Sequence, residues 1–169
     1  SNLSIKRIPL NIDFRIELNE NSNLLEFDLN IYCGKHKISL DKLRNYIKNQ
    51  DKILGVNGEF FDIINKEQLI KFLDIIDSFQ PDPGTPDKFK GNLYQVPHLN
   101  NIMEQISYVS YNTSDTYARL LNEMKTGRPL ENVEIDKKFE STLRGYQKDG
   151  VNWMYFLRKY GFGGILADD

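Results

Sequence analysis

Ile8–Cys33 reads IPLNIDFRIELNENSNLLEFDLNIYC, and its alternation decides the fold. Ile8, Leu10, Ile12, Phe14, Ile16 and Leu18 occupy the even positions, with Asn11, Asp13, Arg15 and Glu17 between them. After the polar run Asn19–Asn23 the apolar set moves to odd positions: Leu25, Phe27, Leu29, Ile31 and Cys33. A period of two sends each set to one face of an extended chain, so the stretch predicts two half-buried strands joined as an antiparallel hairpin.

Downstream the period lengthens. Leu43, Tyr46 and Ile47 sit at helical spacing behind Ser39, whose hydroxyl can accept from an exposed backbone N–H as an N-cap. Ile53, Leu54 and Val56 lead into Asn57-Gly58, a pair that tolerates the positive φ values of a type I′ turn, and Phe60, Phe61 and Ile63 lead out of this second hairpin. Asn65, with Gln68 three residues on, is placed to cap a helix whose apolar face is Leu69, Phe72, Leu73, Ile76 and Phe79. Residues 1–79 therefore predict an α+β unit of antiparallel β-hairpins packed with helices, in the order ββαββα.

Residues 80–91, QPDPGTPDKFKG, hold three prolines and two glycines, which predicts an exposed linker. Over 92–142 the spacing of Leu99, Ile102, Met103 and Ile106, with Pro97 in the first turn, predicts one helix. Tyr117, Leu120, Leu121 and Met124, capped by Ser114 and stopped around Gly127 and Pro129, predict a second, making a helical pair. Leu130–Thr142 is charged and weakly alternating, as in an extended connector.

Composition narrows the function classes. The 169 residues are 40% hydrophobic and 27% charged, without an apolar run long enough to span a bilayer and without the tripartite pattern of a secretory signal. A cytoplasmic protein with no membrane partner is expected. One cysteine, Cys33, excludes an internal disulfide, and two histidines, His36 and His98, leave no zinc ligand set, so no metal is assigned. A net charge of -2 gives the whole chain no attraction for phosphate backbones. The basic residues Lys35, His36, Lys37, Lys42, Arg44 and Lys48 read as a solvated surface.

The chemistry is concentrated in Leu143–Asp169, LRGYQKDGVNWMYFLRKYGFGGILADD. Leu143, Tyr146, Gly150, Met154 and Leu157 share one face of a helix from about Thr142 to Gly161, with Arg144 and Gln147 near its start. The Gln147 amide offers a donor beside an acceptor, the pair that matches the adjacent ring nitrogen and amino group of adenine. Gly145 and Gly150 have the spacing of a phosphate-binding loop, yet Val151-Asn152 stand where lysine and a hydroxyl residue are required. Trp153 reads as a packing residue, and Asp168 and Asp169 as ordinary chain.

Leu-Arg-x-Tyr-Gln-x-x-Gly-Val-x-Trp followed by Gly-x-Gly-Gly-Ile-Leu-Ala-Asp-Asp resembles the start of the Swi/Snf-type, superfamily-two helicase-like DNA translocases. The resemblance implies that Gln147 contacts adenine, that Arg144 and Tyr146 shape that end of the pocket, and that Gly161–Ile165 feed the first strand of an α/β RecA-like lobe. It also implies that 143–169 opens that lobe and stops before its phosphate loop. The family commonly has proline at the position of Gly145, whose glycine should loosen the helix start. Ile5–Phe79 resembles in outline the helicase-associated region preceding the motor in bacterial members.

The fragment should accordingly have no catalytic residues of its own. ATP and Mg belong to the full-length parent, and double-stranded DNA is reached through its motor. The helix, marginal alone, should dock on the preceding domain, pair with another copy through 143–161, or lose order. The alternative is an autonomous protein-interaction module without nucleotide chemistry.

Overall fold

A computed structural model describes residues 3–19, 21–22, 24–127 and 133–164. The chain runs β1 (Ile5–Ile8), β2 (Leu10–Asn19), β3 (Leu24–Cys33), β4 (His36–Ile38), α1 (Leu40–Lys48), β5 (Leu54–Val56), β6 (Glu59–Ile63), α2 (Lys66–Ile76), β7 (Gln80–Asp82), β8 (Thr85–Asn92), a 3-10 turn (Leu93–Gln95), α3 (Val96–Gln105), β9 (Val109–Thr113), α4 (Asp115–Thr126), α5 (Lys137–Glu140) and α6 (Gly145–Tyr160). The class is α+β, as the alternating hairpins and helical spacings predict.

The hairpin that opens the sequence forms in the expected register, with β2 antiparallel to β3 from Leu10 opposite Cys33 to Asn19 opposite Leu24. Its apolar face is sealed: Leu10, Ile12, Phe14, Ile16, Leu25, Phe27, Leu29, Ile31 and Cys33 are each at most 3% exposed. Pro9 has no N–H to give a ladder, and there the chain leaves one sheet for another. Ile8 belongs to β1, which lies parallel to β6 with Ile8 opposite Ile63, so the expected strand is divided at that residue. The larger sheet has the order β7-β8-β3-β2-β9, with β4 on β3; the smaller is β1-β6-β5.

Asn57 and Gly58 turn β5 into β6 with φ of 48° and 80°, the I′ geometry expected of the pair. Ser39 and Ser114 cap α1 and α4 by accepting from Lys42 N and Tyr117 N. Asn65 corrects one expectation. It precedes α2 but makes no side-chain cap; instead its buried amide accepts from Leu10 N at 2.9 Å and donates to Leu10 O at 3.0 Å. Both backbone groups at the Pro9 crossing are thereby satisfied, where an unmade buried bond costs about 1–3 kcal/mol.

The expected linker at 80–91 is the clearest departure. Its residues form the β7–β8 hairpin, and β8 extends the sheet by pairing with β3, Leu24 opposite Asn92 through Asp28 opposite Lys88. The prolines fall at an edge strand, a turn and a strand start, where no ladder N–H is needed. Phe89 is buried and stacks on Phe27 at 5.2 Å, while Phe79 meets Phe27 edge-on at 5.0 Å. Gly91 is required by close approach: a Cβ there would lie 2.4 Å from the Phe79 ring.

The helical pair exists, but β9 lies between its members and runs parallel to β2, which places α3 and α4 as crossover and cover for the sheet. The connector is not wholly extended, because Asp136 caps the single turn of α5. The segment 128–132 and the expected first strand after Gly164, including Ile165, lie outside the described residues. No helix among the described residues is long and apolar enough to cross a membrane.

Candidate functional site

Helix α6 begins with Arg144 in an extended conformation (φ -71°, ψ 161°) and Gly145 as its first helical residue. The Gln147 side-chain oxygen accepts the Arg144 backbone N–H at 2.9 Å, closing one half of a capping box. That bond uses one lone pair of the amide oxygen and restrains the carboxamide, leaving the second lone pair and the two N–H donors as the group's remaining capacity. Arg144, Tyr146 and Gln147 thus stand together on the first turn, all exposed, Tyr146 at 67%.

On the neighbouring flank an open crevice of ≈ 990 Å³ lies between Val133–Glu140 and the first half of α6, bordered by Gly145, Lys148, Asp149 and Asn152. Gln147 does not border it. Asn152 anchors the connector by accepting from Val133 N at 3.0 Å. The middle of α6 is thus tied to the connector, while its first turn stands open.

The other end of α6 is held. Phe156 and Tyr160 are buried and packed edge to face at 5.0 Å, and Phe162 stacks on Phe156 at 6.2 Å. Tyr160 donates its hydroxyl to the buried carboxylate of Glu123 on α4, and Lys159 Nζ lies 3.9 Å from the same carboxylate. Burial first, and then the bond to Glu123, push the Tyr160 hydroxyl above its ordinary pKa, so it stays a donor. Of the fates open to the helix, docking on the preceding domain is the one found. Gly161 ends α6 at a φ of 72°, and Phe162 N returns to Leu157 O at 2.8 Å. At Gly164 a Cβ would meet Leu157 at 2.3 Å and Trp153 at 2.7 Å, so the chain folds back over the Trp153 ring.

Sequence reasoning missed Glu123 and Tyr160 as partners. The signal was a carboxylate three residues after Leu120, on the buried face of α4, facing an aromatic at the end of α6.

Part of the basic cluster is ion-paired. Lys37 pairs with Asp87 at 2.9 Å, Arg44 with Asp77 at 2.6 Å, and Lys6 with Glu59 at 2.8 Å, while His36 also reaches Glu59. Bonds from Lys6 and then His36 hold the Glu59 carboxyl down to about 2. Cys33 is buried, and burial first, then the Glu59 charge, push its thiol up to about 11, which leaves it protonated and inert as a nucleophile. No group of three or more metal-ligating side chains occurs among the described residues.

No family model matches the chain, and no solved structure matches it. Three relatives locate its neighbourhood. It is 38% identical over 61 residues to a putative ATP-dependent helicase/translocase of Bacillus subtilis, covering 36% of this chain and 7% of that protein. It is 29% identical over 136 residues to an uncharacterized ATP-dependent helicase of Mycoplasma genitalium, covering 79% of this chain and 13% of that one. It is 49% identical over 49 residues to the TATA-binding protein-associated factor 172 of Homo sapiens, covering 29% of this chain and 3% of that one.

Two of these relatives are ATP-dependent helicases by name. The chain spans 3% to 13% of the lengths of the three. A match over 79% of 169 residues necessarily takes in α1 through α4, so the helicase likeness is not confined to the α6 motif.

Proposed function

We propose that this chain is the accessory region and the adenine-contacting start of the motor in an ATP-dependent double-stranded DNA translocase of the Swi/Snf helicase-like type. The observation that carries the reading is Gln147, exposed on the first turn of α6 with its oxygen fixed by Arg144 N–H, in a chain whose relatives include named ATP-dependent helicases. The Gln147 amide nitrogen would donate to adenine N7 while its oxygen accepts from the exocyclic amine, and Arg144 and Tyr146 would close the flanks of the base. A bidentate contact of this kind is worth about 1–3 kcal/mol of discrimination.

The donor set fits the base and not the rest of the nucleotide. Hydrolysis requires backbone amides and a lysine on the phosphates, with a hydroxyl and a carboxylate on Mg; Gly145 and Gly150, the pair with the loop spacing, are followed by Val151-Asn152. The parts holding triphosphate and Mg are assigned to the remainder of the parent polypeptide, so this chain alone should bind ATP no tighter than about millimolar, about 4 kcal/mol. The DNA contact is assigned there too, since the net charge is -2 and Lys37 and Arg44 of the basic cluster are ion-paired. A bacterial, cytoplasmic parent belongs to the same reading.

The accessory role is tested by comparing the DNA-stimulated ATPase rate of the parent polypeptide with that of the same polypeptide lacking residues 1 to 130. A change in rate or DNA affinity supports it; identical values for both remove it. A second reading, a protein-interaction module without nucleotide chemistry, draws on the exposed strip of Leu3, Ile5 and Phe60 at β1 and β6. Self-association through 143–161 would use the exposed Tyr146, Met154 and Tyr155, and sedimentation of the chain across a concentration series tests it.

A further inference from the structure

We propose that Glu123 and Tyr160 form a releasable latch through which the α+β unit sets the position of α6, making Glu123 a positioning residue for the nucleotide contact at Gln147. The inference rests on the adenine reading above for its consequence, though not for the latch itself. Three features of the contact support it.

First, the carboxylate is placed where its own helix does not favour it. Glu123 is 5% exposed and sits in the last turn of α4, near the negative end of the helix dipole. What compensates it includes groups from α6, the Tyr160 hydroxyl and the Lys159 ammonium, with Arg119 of α4 in the same charge cluster. A carboxylate whose partners include groups of a second element regains water in their place when that element leaves, so release costs less than leaving a buried charge unpaired.

Secondly, the contact is at one end. Phe156, Tyr160 and Phe162 pack at the C-terminal half of α6, while Arg144, Tyr146 and Gln147 stand exposed at the N-terminal half. A helix held at one end turns as a lever about it. Thirdly, the latch lies between α4, which contacts β2, and a helix that buries only Phe156 and Tyr160 among its sixteen residues. Local opening of such an element needs no disruption of the sheet.

Hydrogen exchange on this chain tests the latch. Tyr160→Phe leaves the carboxylate without its hydroxyl partner and should raise exchange across Gly145–Tyr160 about tenfold or more, with amides of β2 and β3 unchanged. The pair Glu123→Met with Tyr160→Phe replaces the polar contact by an apolar one and should return α6 to slow exchange. Unchanged α6 exchange in Tyr160→Phe, or an equal rise in the sheet, overturns the latch.

Its coupling is read in the ATP-hydrolysing parent, where Tyr160→Phe should shift KM for ATP about tenfold with little change in kcat. A faster-exchanging α6 with unaltered KM overturns the coupling. Gln147→Ala in the same assay separates the two ideas: if it leaves KM for ATP unchanged, the adenine reading fails while the exchange result still decides the latch.

Discussion

The β2–β3 hairpin and helix α6 represent two ways for a segment to be held. Nine inward side chains of the hairpin are at most 3% exposed and are covered by helices from later in the chain. Helix α6 buries two of its sixteen residues and is held by one aromatic cluster, the Glu123 carboxylate and the Asn152 bond to Val133 N. With apolar burial worth about 25 cal/mol per Å², the hairpin is fixed by many redundant contacts and α6 by few. Apolar burial is concentrated in the sheet, and Arg144, Tyr146 and Gln147 stand on the sparsely buried helix.

The largest effect is expected from Phe27→Ala. Phe27 touches Phe14, Phe79 and Phe89, and its loss should cost about 3–5 kcal/mol. Urea unfolding followed by circular dichroism should show one transition at a much lower midpoint; a midpoint within error of the parent would deny the sheet its dominance. Next is Gly91→Val, whose side chain collides with Phe79, at about 1–3 kcal/mol by the same measurement. An unchanged midpoint would mean that the Phe79 ring is not seated on that glycine.

Gly150→Ala sharpens the comparison from the other side. Nothing lies within 4 Å of a Cβ at Gly150, so alanine should stabilise α6 by about 1 kcal/mol. Gly145→Pro has the same open space and an Arg144 already extended, and should add about 0.4–1 kcal/mol. Both should slow exchange in α6 while leaving β2 and β3 as they were. A matching shift in the sheet amides would join the two regions into one cooperative unit.

The smallest effect expected is electrostatic. Glu59 is held to about 2 against an ordinary 4.5, so its contribution to stability is complete above about pH 4.5 and is lost as pH falls toward 2. Glu59→Gln should flatten the acid limb of the urea midpoint between those values. An identical pH dependence in the variant would remove Lys6 and His36 as meaningful partners.

How much could be read from the residues follows the same division. The hairpin was legible because its alternation is long and unbroken, and the I′ turn because Asn57-Gly58 is a local code. Residues 80–91 were not, since three prolines outweigh Phe89 until the sheet edge that tolerates them is known. Strand β9 was hidden by its brevity: Val109–Thr113 has one apolar inward residue, and its pairing with β2 is a long-range fact. At the candidate site Gln147 stood out by its motif, whereas Glu123 passed as one more charge on a helix until α6 was found against it.

The proposed adenine contact is tested most directly by the nucleotide preference of the parent polypeptide after Gln147→Glu. Glutamate keeps the oxygen that caps Arg144 N–H and removes the amide donor needed by adenine N7, so the helix should persist. ATP affinity should weaken by roughly 1–3 kcal/mol with GTP affinity unchanged. Equal affinity of parent and variant for ATP, with α6 intact by hydrogen exchange, would contradict it.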